Sequence, residues 1–280
     1  MRKVDQPSKK PIVSIIVPCF NYGHFISDTI ASIEKCDSRL YELIIVNDGS
    51  TDLETQKTLK KLEIAGYHVI NQENKGVSAA RNAGISAAKG KYILPLDADD
   101  EIYPSYLKSA INLLEKNSEV GVVYGRAEFF GAQQGEWKLP KFDVITLLIF
   151  NYIYVSAIYR RDIWLKVGGY DTDSQIDGWE DWDFWISVAE REWKFVQLDE
   201  MVFRYRIHEA SKMYSHRIND KVPPEIQQHI ISRHAAFYIT HYISLYNSAS
   251  RLKHWENYPF RGIARLLLTQ LRRLTSYKKR

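Results

Sequence analysis

Short β-rich apolar runs alternate with helical patterns through the first half of this chain, and that alternation restricts the fold more than any other feature. The runs Ser14 to Phe20, Leu43 to Asn47, His68 to Asn71, Tyr92 to Leu96 and Gly121 to Tyr124 predict strands. Between them, His24 to Lys35, Asp52 to Leu62, Val77 to Lys89 and Tyr103 to Lys116 predict helices. Parallel neighbours need a crossover long enough to be a helix, so this order implies βαβ units, an α/β class and a Rossmann-like, mainly parallel sheet flanked by helices. In open sheets of that kind ligands bind beyond the carboxyl ends of strands. Asn47-Asp48 and Asp97-Ala98-Asp99 fall at two such ends.

The second half changes character. Val144 to Tyr159 carries no charge but is shorter than the ~20 apolar residues a spanning helix needs, so it reads as buried core, a helix and then a strand. Arg160 to Val167 predicts a short helix, Gly168 to Asp171 a turn, Trp182 to Arg191 a helix and Phe195 to Tyr205 a strand. From Pro223 the pattern is helical, broken at Pro259. The expected organisation is a flexible N-terminus over 1–11, a catalytic domain over 12–215 and a basic helical appendage over 216–280.

Charge is distributed unevenly. Residues 251 to 280 hold nine Lys and Arg against Glu256 alone, while the whole chain is only +4, so the body is net acidic. A basic tail with Ile263, Leu267, Leu271 and Leu274 on one helical face suits an anionic membrane surface; a helix packed on the domain with a solvated basic face is the alternative. An acidic body disfavours nucleic acid as a partner. Cys19 and Cys36 form neither a CxxC pair nor a metal-ligand spacing, and the apolar run after the basic N-terminus is too short for a secretory signal. Together these fit a cytoplasmic protein, peripheral at the inner face of a membrane if the tail docks there.

The acidic strand ends carry the chemistry. Magnesium and manganese take oxygen ligands, and magnesium is commonly bound by one or two carboxylates plus substrate phosphates, which Asp97 and Asp99 could supply. Asp99 or Asp100 could instead cap the next helix. The first strand leads into Pro18-Cys19-Phe20-Asn21 rather than a GxGxxG turn, and no Walker A pattern occurs, so a nucleotide would lack a Gly-rich phosphate cradle. That places the weight of diphosphate neutralisation on a metal. Asp48 could accept from a pyrimidine ring N–H, while Ser50 or Asp52 could cap the following helix. The small residues around Arg81, from Val77 to Gly84, permit close approach either to a ligand or to the sheet. Glu180-Asp181 opens a helix after Gly178, where a helix N-terminus favours an ionised carboxylate able to act as a general base. Trp182 and Trp185 read as core or as a floor for a sugar ring.

These stretches resemble the family 2 inverting glycosyltransferases of the GT-A fold. The resemblance covers roughly residues 12 to 210 and runs in the family's order: Val13 to Asn21, Ile45 to Asp52, Asn74 to Asn82, Leu96 to Asp100, Gly168 to Asp171, Glu180 to Asp183 and Tyr205 to His208. It implies transfer of a sugar from a UDP- or dTDP-linked donor to a hydroxyl of a saccharide or lipid-linked acceptor, with inversion, in polysaccharide or glycolipid synthesis. By similarity Asp48 would read the base, Arg81 would lie near base or diphosphate, and Pro18 and Asn21 would shape the nucleotide pocket. Asp97 and Ala98 would face the ribose and metal region. Asp99 would ligate Mg²⁺ or Mn²⁺ with His208 as a further ligand, and Asp181 beside Glu180 would be the base. Asn47 departs from the family, which often has a second Asp there. A nucleotidyltransferase would need a basic Gly-rich loop after the first strand, which is absent, and a non-catalytic binding protein recruited by the tail is the alternative from another class.

Overall fold

The computed structural model describes residues 10–208 and 222–251. Most of the flexible N-terminus expected over 1–11, and the tail helix expected after 251, lie outside the described residues. The first half forms β1 (Val13–Cys19), α1 (Ile26–Ile33), β2 (Tyr41–Asp48), α2 (Leu53–Ile64), β3 (His68–Gln72), α3 (Val77–Ala87) and β4 (Tyr92–Pro95). All seven residues of β1 are buried, as a central strand covered on both faces requires. It pairs in parallel with β2 on one side and β4 on the other, and β2 pairs in parallel with β3. The alternating pattern therefore resolves into the predicted βαβ frame.

The small residues of helix α3 serve both sides: Ala80 lines the cleft, while Gly84 lies against the sheet. A Cβ on Gly84 would stand 2.4 Å from Ile16 Cγ2 and 3.1 Å from Val46 Cγ2, so only glycine lets the helix sit this close to β1 and β2. Helix α2 is capped by Asp52, whose carboxylate accepts from Thr55 N at 2.8 Å. Of the two capping candidates, Asp52 takes that place.

After β4 come β5 (Glu101–Ile102), α4 (Tyr106–Lys116), β6 (Val120–Gly131), β7 (Gly135–Trp137), α5 (Val144–Ile149), β8 (Ile158–Arg160), α6 (Arg161–Val167), α7 (Glu180–Ala189) and β9 (Lys194–Ile207). The strand order is β3-β2-β1-β4-β8-β6-β9-β5, with β7 paired to β6. Here the sheet turns mixed: β8 is antiparallel to β4 and β6, and β5 is antiparallel to β9, while β6 and β9 run parallel. The strand predicted at Gly121 to Tyr124 is the buried start of the much longer β6; its outer part alternates buried and open residues, a weaker signal than a continuous apolar run. β5 is too short to leave a pattern at all.

Helices Pro224–Arg233, Ala235–Thr240 and Tyr242–Arg251 follow. They are fastened to the domain by polar contacts: Arg233 Nη1 to Asp171 at 2.6 Å, and buried His234 between Asp183 at 3.0 Å and Glu190 at 2.9 Å. Among the described residues no helix is long and apolar enough to cross a membrane.

Candidate functional site

The carboxyl ends of β1 and β2 form one wall. Asp48, the last residue of β2, is buried and accepts from Gln72 Nε2 at 2.7 Å, Lys75 N at 3.0 Å and Gly76 N at 2.9 Å. A carboxylate has about four lone-pair sites, so one acceptor position remains for a ligand. Asn21 holds the neighbouring loop from behind. Its Oδ1 accepts from Thr51 N and Asp52 N, both at 2.9 Å, and its backbone takes a positive φ of 61°. It shapes the loop without lining the cleft.

The acidic turn after β4 is the second wall. Asp97 Oδ1 accepts from Arg81 Nη2 at 2.7 Å. Asp99 Oδ2 lies 2.9 Å from His208 Nε2, just beyond the end of β9. Neither Asp99 nor Asp100 caps α4, whose N-cap is Ser105. Asp100 is buried and accepts from Arg206 N at 2.9 Å, while Arg206 Nε donates to Asp99 O at 2.7 Å. Burial raises the pKa of both Asp99 and Asp100; His208 opposes that rise at Asp99, whereas Asp99 and Asp97 add to it at Asp100. A cation placed here would relieve the mutual repulsion of these carboxylates.

Among the described residues no three His, Cys, Asp or Glu side chains converge as a ready-made metal cage. What converges is one carboxylate and one imidazole, Asp99 and His208. That set fits magnesium or manganese only if other oxygens complete the shell, as a diphosphate would.

The third wall is the N-terminus of α7. Gly178, at φ 88°, makes the turn, and its N–H donates to Glu180 Oε2 at 2.7 Å. Glu180 Oε1 accepts from Arg81 Nη1 at 2.5 Å, so one buried guanidinium joins the acidic turn to the start of α7. Burial opposes its charge, but Asp97 and then Glu180 outweigh burial and hold Arg81 protonated. Its Nε is buried with no hydrogen-bond partner among the described residues.

Asp181 differs from Glu180. Its Oδ1 accepts from Trp182 N at 2.8 Å, and it lines the cleft with no direct cation partner among the described residues. Burial, reinforced by Glu180 and opposed by Arg81, pushes its pKa up to about 7. The helix N-terminus was expected to favour the ionised form; desolvation outweighs it. A carboxyl that titrates near neutrality is suited to accept a proton. Trp182 and Trp185 are both buried, and each donates its indole N–H to a backbone carbonyl, Leu147 O at 2.6 Å and Ile153 O at 3.1 Å. They are core and do not floor a sugar site; Trp179 lines the cleft instead.

The three walls enclose a cleft of ≈ 640 Å³, within the usual range for small-molecule sites. Pro18, Asp48, Arg81, Asp97, Ala98, Asp99, Glu180 and Asp181 all line it. His208 reaches it through Asp99. Sequence reasoning missed Phe20, Tyr22, Trp137, Asn151 and Tyr205, which also line the cleft. Phe20, 38% exposed at the strand end, was legible as an open aromatic; Asn151 and Trp137 carried no motif. Cys19 also lines the cleft, but burial pushes its thiol up to about 11, so it offers no thiolate.

Comparison with known proteins shows the family and the fold. The sequence matches the family described as glycosyl transferase family 2 over residues 14–172. An uncharacterised glycosyltransferase of Haemophilus influenzae is 29% identical over 232 residues, covering 75% of this chain and 70% of its own. One from Methanocaldococcus jannaschii is 26% identical over 210 residues, covering 71% of each. Among solved structures, Staphylococcus aureus TarS residues 1–349 in complex with UDP-GlcNAc superposes with a TM-score of 0.63 at 20% identity. That match takes in 79% of this chain and 64% of the TarS chain, and it supports the GT-A fold. With the match spanning more than half of its length and the motif residues gathered on one cleft, the chain belongs to glycosyl transferase family 2.

Proposed function

We propose that the protein transfers a sugar from a UDP- or dTDP-linked donor to an acceptor hydroxyl with inversion at the anomeric carbon. The observation that carries this reading is the convergence of Asp97 to Asp99 and Asp181 on one cleft from opposite walls. Asp48 accepts from the base, beside Phe20 and Tyr22. Arg81, its terminal nitrogens engaged by Asp97 and Glu180, supplies positive charge to the cleft wall. A divalent cation held by Asp99 and His208 would neutralise charge developing on the departing diphosphate.

Asp181 takes the proton of the acceptor hydroxyl as its oxygen bonds to the anomeric carbon. The carbon–oxygen bond to the diphosphate breaks, and its electron pair leaves on the phosphate oxygen. Glu180, paired with Arg81 and bonded to Gly178 N–H, holds the start of α7. TarS, with UDP-GlcNAc bound, supports a uridine donor; the sugar and acceptor are open to assay. A saccharide or lipid-linked acceptor is consistent with the basic segment 251–280, which would hold the enzyme at an anionic membrane surface.

A panel of nucleotide sugars with and without Mn²⁺, scored by release of the nucleoside diphosphate as donor is slowly hydrolysed, tests the reading and needs no acceptor. Metal-dependent release from at least one donor is expected. Release of pyrophosphate from UTP or dTTP plus a sugar phosphate would replace it with nucleotidyl transfer.

A further inference from the structure

The outer part of the sheet turns an aromatic face to the cleft that the donor chemistry leaves unused. β9 takes one edge of β6 from Val120 to Gly131, so β8, paired at Val122 and Val123, and β7, paired from Ala127 to Phe129, share the other edge. β7 therefore continues the lane of β8 past the carboxyl end of β4. Along the sheet that lane lies three strand spacings, about 14 Å, from β2 and Asp48. Opposite the small Ala127, Trp137 has Phe129 stacked on it with ring centres 5.3 Å apart, and Tyr205 and Tyr154 abut it at 5.7 and 6.0 Å. Gly125 N–H donates to the Tyr154 hydroxyl at 2.9 Å, and that hydroxyl donates to Gly125 O at 3.2 Å, which fixes this neighbour in place. Trp137, Tyr154 and Tyr205 all line the cleft. Tyr205 stands beside Arg206, whose N–H donates to Asp100. Tyr154 follows Ile153, whose carbonyl accepts from Trp185 on α7, the helix that opens with Glu180 and Asp181. The aromatic layer thus joins the acidic-turn wall to the α7 wall.

We propose that Trp137, braced by Phe129, Tyr154 and Tyr205, is the platform for a pyranose ring of a saccharide acceptor. The proposal rests on the glycosyl-transfer reading of the cleft. An aromatic face is apolar and carries negative charge density, so it repels phosphate and takes an apolar ring surface. The nucleobase, which would also stack, belongs with Asp48 three lanes away. An alkyl chain would have to lie in a cleft lined by Asp97, Asp99, Glu180 and Asp181, and buried charges need polar partners. A pyranose meets both demands: its C–H face packs on the indole while its hydroxyls hydrogen-bond the carboxylates. Exposure then separates acceptor from donor sugar. Residues 131–136 of the β6–β7 hairpin are exposed and Trp137 is half-buried, so the platform sits at the mouth of the cleft, where a saccharide of several units can run out to solvent. The donor sugar is tethered instead to the diphosphate, at the acidic turn.

The test is ¹⁹F NMR of the full chain labelled with 5-fluorotryptophan, the Trp137 resonance being assigned by its loss in Trp137→Phe. The probes are UDP with Mn²⁺, the nucleotide sugar selected by the donor panel, and a series of methyl pyranosides and disaccharides added to the protein saturated with UDP and Mn²⁺. The Trp137 signal should stay in place with UDP and move with at least one of the saccharides. Trp137→Leu should raise KM for that saccharide as acceptor roughly 3- to 10-fold, and Trp137→Phe, which keeps a ring, should raise it less. A signal that responds to the nucleotide or the nucleotide sugar but to no saccharide overturns the acceptor assignment, and one that responds to no probe overturns the platform. Failure of every donor in the hydrolysis panel overturns the transfer reading itself, whatever the Trp137 signal does.

Discussion

Arg81 Nη1 donates to Glu180 Oε1 at 2.5 Å across 99 positions of sequence, with side chains only 3% and 7% exposed. The same guanidinium donates to Asp97. A buried charge stripped of its partner costs far more than the pair contributes. Arg81→Met should destabilise the fold by about 3–5 kcal/mol, and adding Glu180→Gln should recover part of that loss. Urea unfolding of both variants checks it; equal stability of the single and double variants would show that Glu180 does not depend on Arg81.

As the proposed base, Asp181 should set the pH response of turnover. Its proton leaves near pH 7, and only the ionised form can accept another. Donor turnover should therefore rise with pH through about 7, and Asp181→Asn should abolish it while leaving nucleotide binding intact. A pH–rate profile together with nucleotide titration of the variant measures both.

The same residue should act on stability in the opposite sense. Its folded-state pKa stands above the ordinary carboxyl value, so between about 4 and 7 the native state holds a proton that the unfolded chain has released. Stability is lost as pH rises through that window. Asp181→Asn should accordingly stabilise the protein at pH 8, by on the order of 2 kcal/mol, and hardly at all at pH 4. Thermal or chemical unfolding at the two pH values reads the difference.

Metal dependence should pass through Asp99. UDP with Mn²⁺ should raise the melting temperature of the wild type more than UDP alone, because a ligand bound only by the native state stabilises it. Asp99→Asn should lose that metal-dependent increment, and His208→Ala should weaken it. An undiminished increment in Asp99→Asn would remove it from the ligand set.

Gly84→Ala should cost about 1–3 kcal/mol through overpacking, since its Cβ would press on Ile16 and Val46. Nucleotide affinity in the folded variant should be unchanged, because Gly84 faces the sheet. A loss of affinity without a loss of stability would place Gly84 on the ligand side.

The parallel half of the fold was legible because β1, β2 and β4 are buried on both faces and announce themselves as continuous apolar runs. Asp48, Asp97, Asp99 and Asp181 were legible because carboxylates at strand ends and helix starts form local patterns. Partnerships were not. Nothing local marks Arg81 as the clamp on Glu180, or Arg206 as the holder of Asp99 O and Asp100, since each contact spans 99 to 107 residues. Asn151, which also lines the cleft, belongs to no motif. The expectation for Trp182 and Trp185 stayed divided because helical spacing alone cannot say whether an aromatic faces core or ligand.

Among the described residues strand β5 has no neighbour in the sheet other than β9, although it begins at Glu101, immediately after the acidic turn. During synthesis, then, the segment carrying Asp97 to Asp100 emerges long before the strand that fastens it. Residues 14–172, the stretch matched by the family, end before that strand, before Asp181 and before His208. A nascent chain released at that length would own the nucleotide wall and the Arg81–Asp97 contact, but not the contacts of Arg206 and His208 with Asp99 and Asp100. Catalytic competence is therefore a property acquired late and over long range, of the kind expected to fold slowly.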